Sequence, residues 1–227
     1  MIEVFAGGAV LTSVAKQYGL GGIAVDKIRK QNARSTIYQL DLMQPADREL
    51  LEQWLASPLL LWAHFAPVCG TASKAREIPR PELASAPQPL RSLEHPLGLP
   101  TLNSGDRKRV EIANELFKYT CHLFAKCMER GVLATMENPR GSYLWVIPFV
   151  LELMRAYPLL QQIFRRACLD RCEINGPGFW LPFLRSPRWM LLVIEVTNIW
   201  VGALLQMLRV RKSGLQPRNH NIQESSA

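Results

Sequence analysis

The sequence is sparing with cysteine and with acidic residues, and it lacks a dinucleotide-binding glycine pattern. Its five cysteines, Cys69, Cys121, Cys127, Cys168 and Cys172, are odd in number and sparse among 227 residues. That argues against a secreted disulfide framework. No basic segment followed by an apolar one is seen at the start, so no secretory signal is expected and the expected location is the nucleus or cytoplasm. Gly-x-Gly-x-x-Gly is missing: Gly7-Gly8 is followed by Ala9 and then Thr12, which disfavours a pyrophosphate-bearing dinucleotide. No repeat at solenoid periods is seen, and no metal is expected. Acidic residues number 19 against 27 basic ones, a formal net charge of +8. That excess permits a polyanionic partner without establishing one. What is present is apolar: 48% hydrophobic against 20% charged residues excludes wholesale disorder and provides a core.

Strand-like and helix-like runs alternate through the first two-thirds of the chain. Ile2–Ala6 reads as a strand, and Val10, Leu11, Val14, Ala15 and Tyr18 mark an amphipathic helix closed by Gly19. Ile23–Val25 and Thr36–Leu40 read as strands ending at Asp26 and Asp41. Pro45 opens a helix over Ala46–Ala56, where its missing N–H costs nothing. Leu59–Ala66 reads as a buried strand. Residues 67–105 form a long Pro-, Ser- and Gly-rich loop, and loops of that length inside a domain are usually functional or disordered. Helical spacing resumes at Asp106 and stops at Gly131, before a strand over Val132–Met136. The alternation predicts an α/β fold with a parallel sheet covered on both faces.

Ligands of such sheets bind at the carboxyl ends of the strands. Phe5, Gly7 and Gly8 lie on the loop after the first strand, where glycine lets a backbone approach a ligand. Asp26 can accept ribose hydroxyls and Asp41 an adenine amino group, or each can cap a helix, as single strand-end carboxylates more often do. A nucleoside cofactor without a pyrophosphate, such as S-adenosylmethionine, suits this set. Cys69 follows the fourth strand, a placement expected to lower a thiol's pKa and make a nucleophile. Glu137-Asn138-Pro139 ends the fifth strand, where Pro139 stops it and a glutamate can hydrogen-bond or protonate a ring nitrogen.

These residues resemble the catalytic domain of DNA cytosine-5 methyltransferases, closest to the divergent methyltransferase-like proteins of dinoflagellates and mobile elements. The resemblance rests on Val4-Phe5-Ala6-Gly7, Val25-Asp26 and Asp41-Leu42. It rests above all on the segment from His64 to Glu77 around Pro67-Val68-Cys69-Gly70, and on Glu137-Asn138-Pro139-Arg140-Gly141-Ser142-Tyr143-Leu144-Trp145. It implies an incomplete doubly wound, Rossmann-like, S-adenosylmethionine-dependent methyltransferase domain over residues 1–170. Cys69 would attack C6 of a flipped cytosine, Glu137 would hold the N3 edge, and Phe5, Gly7, Gly8, Asp26 and Asp41 would hold the cofactor. DNA is the implied partner, with Arg76, Arg80, Arg91, Arg107, Lys108, Arg109 and Asn138 as candidate nucleic-acid contacts. Departures accompany the match. Val68 stands where a second proline is usual and Ala9 where a glycine is usual, and no target-recognition region follows Glu137.

After Asp170 the family pattern stops. Codons for Cys172 to Phe183 can be chosen so that an adjacent frame restores the family's Lys-Trp-Thr segment, so the tail, 171–227, is expected to be frame-shifted and without a confident fold. Trp189–Leu208 is a 20-residue apolar stretch flanked by Arg185, Arg188, Arg209, Arg211 and Lys212, and the Glu195, Asn198 and Gln206 that interrupt it argue against a membrane span. Three readings remain open: the methyltransferase, a catalytically inactive relic that binds a nucleoside cofactor or nucleic acid, and a membrane-associated protein anchored by 189–208.

Overall fold

The computed structural model describes residues 1–78, 87–157 and, as backbone only, 189–193; these lie within the first of two compact units, Met1–Val196. Six strands are present there: β1 Ile2–Val4, β2 Ile23–Asp26, β3 Ile37–Gln39, β4 Trp62–Phe65, β5 Leu133–Pro139 and β6 Trp189–Val193. Four α-helices accompany them: α1 Val10–Gln17, α2 Pro45–Leu55, α3 Ser104–Glu129 and α4 Pro148–Ala156. The sheet order is β3-β2-β1-β4-β5-β6. The first five strands are parallel, and β6 runs antiparallel to β5. The parallel part is compatible with a Rossmann-like architecture. β1 pairs with both β2 and β4, so the order reverses there and leaves a crevice beyond the carboxyl ends of β1 and β4.

Strand alternation gives the sheet two unlike faces. Ile2, Val4, Ala63, Phe65, Ala134 and Met136 belong to one buried cluster with Phe117, Leu123 and Phe124 of α3. The Phe65 and Phe124 rings lie 6.1 Å apart at a tilt. α3 is long because its apolar positions keep helical spacing from Val110 to Cys127 and because both ends are closed. Asn103 Oδ1 accepts the Asp106 N–H at 2.8 Å, and Gly131 takes a positive φ of 72° just past the end. α2 is tied to α3 by the Tyr119 hydroxyl, which donates to the Arg48 carbonyl at 3.1 Å, and by Arg48 stacked 4.4 Å from the Tyr119 ring centroid.

The opposite face carries Glu3, His64, Thr135 and Glu137. Glu3 is in register with His64, and His64 with Thr135, so a polar row crosses three central strands. Glu3, His64 and Thr135 are all buried. Glu3 Oε2 accepts the Thr12 N–H at 2.7 Å and the Thr12 hydroxyl at 2.5 Å, which fixes α1 on β1.

β5 runs through Glu137-Asn138 and stops at Pro139, as expected of that proline, and β6 supplies a pairing edge: Glu137, Asn138 and Pro139 are in register with Leu191, Met190 and Trp189. The tail therefore contributes one strand to the sheet. The codons at issue in the reading-frame expectation, 172–183, and the remainder of the apolar stretch, 194–208, lie outside the described residues. Among the described residues, no helix is long and apolar enough to cross a membrane.

Candidate active site

The carboxyl end of β1 is a run of left-handed backbone. Phe5, Gly7 and Ala9 have φ of 61°, 54° and 51°. For a non-glycine residue this region costs about 1–3 kcal/mol and clusters at functional sites. Ala9 thus occupies a position whose backbone favours glycine, which accounts for the glycine usual in the resembling family. The Gly7 N–H points to Asp26 Oδ2 at 2.8 Å, and Asp26 Oδ1 accepts the Ile28 N–H at 3.1 Å. A carboxylate has about four acceptor positions, so two remain for a ligand's hydroxyls. Gly8 accepts the Arg34 N–H at 2.9 Å, which brings the loop after β2 against the glycines. Asp41 already has partners: Lys27 Nζ stands 2.9 Å from its Oδ2 and the Met43 N–H meets its Oδ1 at 3.1 Å. That lysine holds the Asp41 carboxyl below its ordinary range, mainly through the hydrogen bond.

Cys69 lies on the loop after β4 and is half-buried. Its carbonyl accepts the N–H groups of Ala72 and Ser73 at 3.0 and 2.8 Å, which curls the loop back beneath the thiol. The expected lowering of the thiol is reversed. Burial, with a smaller contribution from the Glu137 charge, pushes Cys69 above the ordinary value of 9.0. Cys121 and Cys127, buried against the sheet, are each pushed up to about 12.

The loop carrying Cys69 is bound to the segment after β5 by several links. Asn138 Nδ2 donates to the Pro67 carbonyl at 2.8 Å, the Tyr143 N–H donates to the Ala72 carbonyl at 2.8 Å, and the Tyr143 hydroxyl donates to Glu77. These links bring Cys69 and Glu137, widely separated in sequence, to neighbouring strand ends. Glu137 is partly exposed and its Oε2 stands 3.7 Å from His64 Nε2.

The candidate nucleic-acid residues divide. Arg107, Lys108 and Arg109 are exposed on the first turns of α3; Arg107 reaches the Pro100 and Leu102 carbonyls, and Arg109 pairs with Asp106 at 2.9 Å. Arg76 donates through Nε to the Gln88 carbonyl at 2.8 Å. Arg80 lies outside the described residues. Arg91 and Asn138 are corrections, since each is 1% exposed. Arg91 donates to the Thr71 carbonyl and hydroxyl, the Pro96 carbonyl and Asn114 Oδ1. Its guanidinium satisfies backbone carbonyls that an irregular loop cannot pair by itself, and burial lowers it to about 10. Asn138 turns inward to hold Pro67.

Sequence reasoning missed His64, Thr135, Trp62 and Glu3 as neighbours of the site. The signal was available: each is a polar or polar-tipped residue inside an otherwise apolar strand, and period-two alternation puts Trp62 and His64 on the face opposite Ala63 and Phe65. Compared with family models, curated proteins and solved structures, the chain matches none.

Proposed function

We propose that this chain is a DNA cytosine-5 methyltransferase-like protein that uses S-adenosylmethionine as methyl donor. One observation carries the reading: Asn138 fastens the Cys69 loop to the end of β5 beside Glu137, next to the left-handed loop and Asp26 at the ends of β1 and β2. A thiol and a carboxyl side by side suit nucleophilic addition to a ring whose nitrogen must be protonated.

In this mechanism Cys69, as thiolate, bonds to C6 of a cytosine drawn out of the stack. The electron pair of the C5–C6 double bond moves towards C5, and Glu137 gives its proton to N3. S-adenosylmethionine, when bound, supplies an electrophilic methyl group to C5. Loss of the C5 proton to a base re-forms the double bond, Cys69 departs with its electron pair, and the N3 proton returns to Glu137. Gly7 and Asp26 are the residues that would hold the cofactor, Asp26 through its two remaining acceptor positions. Phe5, Gly8 and Asp41 complete that set, with Lys27 competing for Asp41. Arg76, Arg107, Lys108 and Arg109 would meet phosphates.

A second reading, an inactive relative that keeps the nucleoside pocket, is favoured by the raised Cys69 thiol. DNA carrying 5-fluorocytosine separates the two. With S-adenosylmethionine present, the methyltransferase forms a covalent adduct that disappears in Cys69→Ala. Cofactor binding that is lost in Asp26→Ala, with no adduct, establishes the second reading and overturns the first.

A further inference from the structure

On the polar face of the sheet, Trp62, Thr135 and His64 are linked by hydrogen bonds, and His64 stands 3.7 Å from Glu137. The Trp62 indole N–H donates to Thr135 Oγ1 at 2.9 Å, and His64 Nδ1 lies 2.8 Å from the same oxygen. Indole only donates, whereas a hydroxyl has one proton and two acceptor positions. Thr135 Oγ1 accepts from Trp62, and the pairing that uses every group has it give its own proton to Nδ1, since a proton on Nδ1 would leave that hydroxyl proton without an acceptor and turn the bare Nε2 towards the Glu137 carboxyl. Among the described residues its one remaining partner is His64 Nδ1. A ring nitrogen that accepts carries no proton, so the neutral imidazole bears its hydrogen on Nε2. Nε2 is the atom that faces Glu137 Oε2. His64 is 4% exposed and cannot exchange these partners for water.

From this geometry we infer that His64 is a positioning residue for Glu137: Trp62 and Thr135 lock its tautomer so that Nε2–H points at the carboxyl and orients it towards the ring bound above Cys69. The 3.7 Å separation is longer than a hydrogen bond. It closes when a ligand draws the carboxyl into place, as catalytic contacts often tighten on binding. Holding Oε2 by Nε2–H leaves Oε1 to carry the proton destined for the ring nitrogen. The other charged group facing His64 is Glu3, in register on β1, whose carboxylate is occupied by Thr12. The tautomer lock stands on the hydrogen bonds alone, whereas the orienting of Glu137 for catalysis rests on the proposed methyltransferase reading.

The test has two parts on the full chain. Nitrogen-15 NMR of histidine-labelled protein reads the tautomer directly. The expected result is His64 with its proton on Nε2, and loss of that single tautomer in Thr135→Val. A proton on Nδ1, or a tautomer unaltered in Thr135→Val, overturns the inference whether or not the protein methylates DNA. The second part compares adduct formation on 5-fluorocytosine DNA in His64→Gln and His64→Asn. Glutamine places its amide nitrogen where Nε2 stood, whereas asparagine matches only Nδ1. The expected result is a few-fold loss for His64→Gln and a loss of about a hundredfold for His64→Asn, the scale of a misplaced catalytic group. Equal loss in the two variants overturns the positioning role. If the unaltered protein forms no adduct, the methyltransferase reading fails and, with it, the catalytic role given to His64, while the NMR result still decides the lock.

Discussion

Asn138 Nδ2 donates to the carbonyl of Pro67 across 2.8 Å and 71 residues of chain. This bond fastens the carboxyl end of β5 to the loop that carries Cys69, so the nucleophile candidate and Glu137 keep a fixed spacing. The other amide atom, Asn138 Oδ1, is buried without a partner among the described residues. The side chain is therefore held by one bond at the cost of an unpaired acceptor.

Asn138→Ala should lower stability by about 1–3 kcal/mol, because it leaves the Pro67 carbonyl unpaired. Asn138→Asp should lower it further at neutral pH, because a buried carboxylate would then face that carbonyl oxygen. Urea denaturation of the two variants beside the parent measures both. A smaller loss in the aspartate variant than in the alanine one would contradict the assigned bond.

Alkylation with iodoacetamide, followed by peptide mass mapping, should find Cys69 reacting ahead of Cys121 and Cys127. Those two are buried and pushed up to about 12, whereas Cys69 is half-buried and raised less. Its rate should climb as pH rises through and past 9.0. Glu137→Gln removes a negative charge that disfavours the thiolate and should speed Cys69 labelling by about two- to fivefold near pH 8. No acceleration would mean that the two side chains do not interact.

Glu3 is raised above its ordinary 4.5, chiefly by burial, with the Thr12 hydrogen bonds opposing. A carboxyl raised in the folded state binds its proton more tightly there. Its stabilising contribution is therefore complete below 4.5 and is lost as pH rises through the folded-state value. Glu3→Gln keeps an acceptor for Thr12 and removes that loss. Its stability advantage over the parent should be larger at about pH 8 than at about pH 4, read from urea midpoints. An advantage that is equal at both ends would place Glu3 in solvent.

Ala9 offers a balance of opposing effects. Relief of left-handed strain in Ala9→Gly is worth about 1–2 kcal/mol. Removing a fully buried methyl costs about 0.8 kcal/mol, and the freer unfolded chain costs about 0.5–1 kcal/mol more. The net change should stay within about 1 kcal/mol. Ala9→Val should instead destabilise by about 3 kcal/mol or more, since a β-branched residue in this region is strained and the site has no spare room. Thermal melts of both variants would show the contrast.

Arg91→Lys should cost about 2–4 kcal/mol, because an ammonium cannot span Thr71, Pro96 and Asn114 as the guanidinium fork does. On the proposed DNA-binding reading, it should leave the salt dependence of that binding unaltered. Lys108→Ala, on the exposed turn of α3, should reduce the slope of log affinity against log salt by about 1. Titrations at several salt concentrations test the pair, and a reduced slope for Arg91→Lys would return that residue to the phosphate surface.

The sequence alone determined the alternation of strands and helices, the positions of Asp26 and Asp41 after their strands, the Gly131 end of α3 and the two segments around Cys69 and Glu137. Those features are written locally: period-two and helical spacing, Pro45 at a helix start, Gly131 after a helix end. Only the tertiary structure turned Arg91 and Asn138 inward, raised the Cys69 thiol, paired β5 with β6, and set His64 between Thr135 and Glu137. Each of those depends on partners many residues away, 71 in the case of His64 and Thr135. A side chain's type states what it can donate or accept, but burial and the partner's position decide which of those capacities it uses.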